Sequence, residues 1–199
     1  SIRRMKYHPE YFMLGDKGIK FLKKENGKLK IKKVLQGYSK SCVCIQEGDA
    51  NSIWVGQGGV APEKLNYDLQ LDSITQVKGY GIQEGLPTTN YVLPMPFGDS
   101  VIFTTERGLY KYSNGKDFFY PSFLNKYLNG GKINAVAKDK KGNVFVVEGN
   151  DKKMLVKQND SAFNVLEKPF FKIQKNFVTD IFLIQGDKDT NGTVENVFF

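Results

Sequence analysis

The sequence predicts an all-β protein built as a β-propeller, and three observations carry that prediction. Short runs of β-branched and aromatic residues alternate with turns rich in Gly, Pro, Asn and Asp along the whole chain. One unit of strand, turn and strand recurs along it. An apolar anchor stands at the same place in each copy: Met13, Trp54, Ile102, Phe145 and Phe198, at spacings of roughly 40–55 residues.

The clearest copy runs from Tyr80 to Tyr112. It opens with the turn Gly85-Leu86-Pro87, continues through an apolar run from Tyr91 and the turn Gly98-Asp99, and reaches the strand Val101 to Thr105. The turn Arg107-Gly108 and the alternating Leu109-Tyr110-Lys111-Tyr112 complete it. From Tyr11, YFMLGDKGIKFL gives a strand, a turn from Gly15 to Gly18 and a second strand, followed by the turn Lys23 to Gly27 and the strand LKIKKV. From Asn51, NSIWVGQGGVAPEKLNYD repeats the pattern with its turn at Gly58-Gly59, and GNVFVVEGNDKKMLVKQND repeats it from Gly142. A further copy begins at Glu195 with ENVFF.

Before the last four anchors lies another apolar strand: CVCI at Cys42, YVLPM at Tyr91, INAVA at Ile133 and VTDIFLI at Val178. Four short strands per unit at this period are what a propeller blade requires, because each sheet has both faces covered by its neighbours. A plain sandwich or barrel also uses many short strands, but does not require turns and anchors to recur in register. The expected architecture is therefore about four to five four-stranded antiparallel blades, at roughly 1–36, 37–80, 81–127, 128–172 and an incomplete 173–199. The stop inside ENVFF leads us to expect a fragment of a larger propeller. Phe123 to Leu128 fits a single helical turn on the rim.

Composition sets the bounds. Of 199 residues, 40% are hydrophobic and 13% aromatic, enough to build a core. No apolar run reaches the ~20 residues of a membrane-spanning helix, and no signal peptide opens the chain. The net charge of +8 is carried mostly by lysine. The cluster Lys23, Lys24, Lys28, Lys30, Lys32 and Lys33 straddles a hairpin, as expected of solvated strand faces; attraction to an anionic ligand is the alternative. No zinc-finger, RNP-type or basic-helix pattern points to nucleic acid. Cys42 and Cys44, the only cysteines, share one face of a strand and read as buried thiols.

These motifs resemble the two-component regulator propeller repeat, whose consensus runs as a "GL-[SP]" turn, a strand, "D-x-x-G-N-[IV]-W-x-G-T", a short turn and "G-[LI]-Y-R-Y". Gly85-Leu86-Pro87 is similar to the opening turn and Arg107-Gly108-Leu109-Tyr110-Lys111-Tyr112 to the closing strand. Asp139 to Phe145 is similar to the middle motif, with Phe145 in place of tryptophan, and Asn51 to Gly56 to its core. Thr104 replaces the usual glycine, Val147-Glu148 replaces Gly-Thr, and Gln57-Gly58-Gly59 shortens one turn. The resemblance implies a non-catalytic, extracytoplasmic ligand-sensing segment of a membrane-anchored signalling regulator. It implies oligosaccharides as the ligand class and a periplasmic location. Membrane contact is expected only through other parts of such a protein.

The chemistry-bearing residues agree with recognition better than with catalysis. His8 is the sole histidine, which makes His-based triads and His-rich metal sites poor fits. Gly56, Gly58 and Gly59 do not lead into a phosphate-loop signature. Asp187, Asp189, Asn191, Gly192 and Glu195 approach the first half of a calcium loop, although Phe198 occupies the bidentate-glutamate position. Polar turn chemistry explains the same residues, and no other cofactor is indicated.

In a propeller, the residues entering each inner strand crowd one mouth of the central channel. Here these are Lys40, Ser41, Thr89, Asn90, Lys132, Lys175 and Asn176. They suit a saccharide, with the lysines favouring a uronate or sulfate. The simpler reading is that Thr89, Asn90 and Asn176 satisfy turn backbone. Two other functions fit the same fold: a polysaccharide-active enzyme, or a structural scaffold that docks proteins. Open edge strands further predict self-association.

Overall fold

The structure, a computed structural model, describes residues 1–167 and the backbone of strands 182–185 and 195–198. Strands β1 (Ile2–Arg4), β2 (Phe12–Asp16), β3 (Gly18–Glu25) and β4 (Lys28–Val34) form the first sheet. The second comprises β5 (Cys44–Asp49), β6 (Ser52–Gly56), β7 (Glu63–Asp68) and β8 (Ser73–Gly79). The third comprises β9 (Leu93–Phe97), β10 (Ser100–Thr105), β11 (Gly108–Ser113) and β12 (Phe118–Pro121). The fourth comprises β13 (Ile133–Lys138), β14 (Val144–Glu148), β15 (Asp151–Lys157) and β16 (Phe163–Glu167). A further hairpin pairs β17 (Phe182–Gln185) with β18 (Glu195–Phe198).

In every four-stranded sheet neighbouring strands are consecutive and antiparallel. The first strands meet at the hub, where β5 contacts β9 and β9 contacts β13. These are consecutive propeller blades, and the fold class is the expected one.

The apolar pattern explains the stacking. Alternate residues of a strand face opposite sides, so each blade has one face toward its predecessor and one toward its successor. Met13 packs with Ile45, Ile53, Val55 and Leu65 of blade 2. Trp54 packs with Phe103 and Phe119 of blade 3, and Ile102 with Val136, Val144, Val146 and Leu155 of blade 4. The recurring anchor therefore points forward, into the next blade. Trp54 is 2% exposed and meets Phe103 and Tyr112 edge-on at 4.9 and 4.8 Å between ring centroids. Such pairs contribute about 0.5–1.5 kcal/mol each beyond the area they bury.

Two glycines show why the repeat is punctuated as it is. Gly85 sits at φ 89°, and a Cβ there would lie 2.3 Å from the Phe119 carbonyl oxygen. Gly56 lets blade 3 approach: a Cβ there would lie 2.7 Å from Cys44 Sγ and 2.8 Å from Pro94 Cδ. Phe123–Tyr127 forms the expected rim turn as a short 3-10 helix, and the Ser122 side chain accepts the Leu124 N–H at its start.

The structure differs from the sequence reading at the start of the chain. Ile2–Arg4 supplies the inner strand of blade 1; three residues with two arginines are too short and too charged to show a strand period. Gly15 and Asp16 extend β2 instead of turning, which moves the reversal to Lys17. Cys42 lies just ahead of β5, where its N–H donates to the Asp16 carbonyl. Both cysteines are buried all the same.

Candidate functional site

The loops leading into β5, β9 and β13 lie at one end of the hub, here called the upper mouth. Lys40 and Ser41 come from the first, Thr89 and Asn90 from the second, and Lys132 from the third. Lys175 and Asn176 lie outside the described residues, as do Asp187, Asp189 and Asn191; Glu195 opens β18. Among the described residues no group of three or more His, Cys, Asp or Glu side chains is arranged to hold a metal ion.

The five described mouth residues fall into two groups. On the blade 2 side, the exposed Lys40 pairs with Glu63 at the start of β7. Glu63, 8% exposed, also accepts from Tyr38 Oη at 2.6 Å and Gln57 Nε2 at 2.7 Å. Burial, and the carboxylate beside it, push the Tyr38 phenol far above its ordinary value. Lys40 is thus held inside a structural network. Ser41 is exposed and bridges to Lys17.

On the blade 3 to blade 4 side, the exposed Lys132 places its ammonium 4.0 Å from the centre of the Tyr91 ring. Asn90, next to Tyr91 in the chain, is exposed, and its N–H donates to Thr88 Oγ1 at 3.1 Å; Thr89 is half-buried. Lys132, Tyr91 and Asn90 therefore make an open surface of cation, ring and amide, whose parts each suit a saccharide.

Below it, Glu148 at the end of β14 anchors the mouth loop. It accepts from Asn129 N at 2.9 Å, Gly131 N at 2.8 Å and Lys153 Nζ at 3.0 Å. Burial alone would raise its pKa, but the two N–H donors and the ammonium outweigh it and hold the carboxyl below the usual range. On the flank of blade 3, Asp117 accepts from Lys78, Tyr112 and Tyr80, which hold it at about 2. Carboxylates kept ionised by fixed donors are poor proton shuttles near neutral pH.

At the opposite end, the lower mouth, a cleft of about 140 Å³ lies between the inner ends of blades 1, 2 and 3, lined by Arg3, Gln46 and Asp99 among others. Sequence reasoning found neither Arg3 nor Gln46, nor the partners Glu63 and Glu148. Arg3, Gln46 and Glu63 carry no local signal; Glu148 stands out only as a departure from the repeat consensus.

The fold and both mouths define a β-propeller segment with polar surfaces at the two ends of the hub. No family model matches the sequence, and no curated protein matches it. Its structure is similar to the extracellular domain of the hybrid two-component system BT3049 from B. thetaiotaomicron, with a TM-score of 0.59 and 14% identity over 93% of this chain. It is also similar to the extracellular domain of the one-component system BT4673 from the same organism, with a TM-score of 0.59 and 15% identity over 96% of this chain. The chain spans 24% of the length of each. A luciferin-regenerating enzyme matches 90% of this chain and 64% of its own, with a TM-score of 0.50 and 14% identity. At these identities the comparisons show a shared fold.

Proposed function

We propose that this chain is part of the extracytoplasmic propeller of a two-component-type signalling regulator, and that it contributes ligand recognition without catalysis. The observation that carries the reading is the structural similarity to extracellular domains of such systems over nearly the whole chain. The repeat motifs of the sequence point the same way. The ligand class that fits is an oligosaccharide, bound at the upper mouth by Lys132, Asn90 and Tyr91, with an acidic sugar favoured by the lysine. A ligand spanning Tyr91 of blade 3 and Lys132 of blade 4 binds best at one spacing of those blades, and thereby biases their packing.

A thermal-shift panel of neutral, uronic and sulfated oligosaccharides, repeated at high salt, tests this. A ligand that binds only the folded state raises Tm by mass action. A shift confined to glycans, and abolished by Lys132→Met, supports the reading; no shift with any glycan removes it.

The fold shared with a luciferin-regenerating enzyme gives a second reading, an enzyme on a propeller scaffold. Release of new reducing ends from any panel glycan would favour it over the sensor.

A further inference from the structure

The lower-mouth cleft of about 140 Å³ is lined by two residues, Arg3 and Gln46, each with a buried donor that finds no acceptor among the described residues. Arg3 stands on β1 opposite Met13, and Gln46 on β5 opposite Trp54. Arg3 Nε and Gln46 Nε2 are both buried and have no hydrogen-bond partner among the described residues, and Gln46 as a whole is 8% exposed. Buried donors without acceptors are rare in folded proteins. Two of them in residues lining one cleft mark a place where an acceptor comes from outside.

The surrounding charges are already committed. Glu47 accepts the backbone N–H groups of Lys6 and Tyr7. Lys6 reaches Asp99 at 3.8 Å, and Arg4 Nε donates to the Pro9 carbonyl at 3.3 Å. Against three cations the lining carries two carboxylates, so it holds a net positive charge.

We propose that this cleft binds the carboxylate of a small acid, of which a uronate is the sugar form. A carboxylate has two acceptor oxygens to offer the two orphaned donors, and its charge suits the guanidinium of Arg3. The volume admits an acid group with its adjoining carbons and excludes an oligosaccharide chain. Because both nitrogens lie beneath the surface, binding entails a small rotation of the Arg3 and Gln46 side chains toward the acid. This site stands on its own donors, independently of the sensor reading and of the upper mouth.

Titrating the chain with sodium glucuronate, sodium acetate and glucose, followed by ¹H–¹⁵N NMR, tests it. Glucuronate is expected to move the Gln46 side-chain amide signals, and glucose to leave them in place. Gln46→Leu and Arg3→Met are each expected to weaken glucuronate binding about tenfold or more, the scale of one charge-assisted hydrogen bond. Gln46→Leu replaces a buried orphan by an apolar group of similar size, so its spectrum stays dispersed. Acetate matching glucuronate assigns the bare carboxylate, and glucuronate exceeding acetate assigns the sugar acid; both uphold the site. No carboxylate response, an equal response to glucose, or binding that survives both substitutions overturns it. So does loss in Lys132→Met with Gln46→Leu unaffected.

Discussion

Lys153 Nζ donates to Glu148 Oε2 at 3.0 Å, and the two side chains are only 5% and 4% exposed. This pair ties β15 to the end of β14, and the remaining Glu148 bonds to Asn129 and Gly131 extend the tie to the upper-mouth loop. Removing one member of a buried pair leaves the other charge without compensation, which costs about 3–5 kcal/mol. Glu148→Gln is expected to destabilise the chain on that scale in urea unfolding, and Glu148→Gln with Lys153→Met, which keeps an amide oxygen for the mouth-loop N–H groups, to recover part of the loss. The pH dependence follows from the lowered carboxyl of Glu148. Its contribution is complete above the ordinary glutamate pKa and is lost as pH falls below it. An acid-unfolding profile that Glu148→Gln leaves unchanged would count against this assignment.

Thr104 illustrates the reverse case. It is fully buried in β10, and its hydroxyl has no partner among the described residues. Thr104→Val keeps the shape and removes the orphaned hydroxyl, so it is expected to raise stability by about 1 kcal/mol. Equilibrium unfolding reads this directly, and a loss of stability would show that the hydroxyl is in use.

The two thiols are expected to be inert in the native state. Burial pushes Cys42 up to about 11 and Cys44 up to about 12, so almost no thiolate, the reactive form, is present at neutral pH. Iodoacetamide at pH 7.5 should leave both unmodified until urea is added. Labelling of the native chain at the rate of a free thiol would refute this.

Self-association is expected through a face of blade 1 more than through its edge. β4 presents Leu29, Ile31 and Val34 at 42%, 54% and 45% exposure, and Ile2 on β1 is 46% exposed. Their cross-strand neighbours Phe12, Leu14 and Leu22 share that face. The corresponding face is covered by the preceding blade in the other three sheets. Lys28, Lys30 and Lys32 alternate along the same edge strand, and lysine discourages edge-to-edge pairing. Sedimentation velocity across concentrations should show association in the parent chain and much less in Ile31→Lys. A strictly monomeric parent would contradict it.

The blades themselves could be read from the chain, because the same physical demand repeats in each. The first three sheets each bury an anchor in their successor, so Met13, Trp54 and Ile102 had to recur, and many of the turns carry Gly, Asn or Asp. That Lys40, Ser41, Thr89, Asn90 and Lys132 precede inner strands was legible for a related reason: knowing those strands fixes which residues lead into them. Their environment was not. Lys40 looked like a free cation and is paired with Glu63, while Lys132 lies over Tyr91. Arg3 and Gln46 gave no sign of a shared cleft. Partners so far apart in the chain meet only when blades stack around a hub, and stacking depends on how whole faces fit together, which no local pattern encodes.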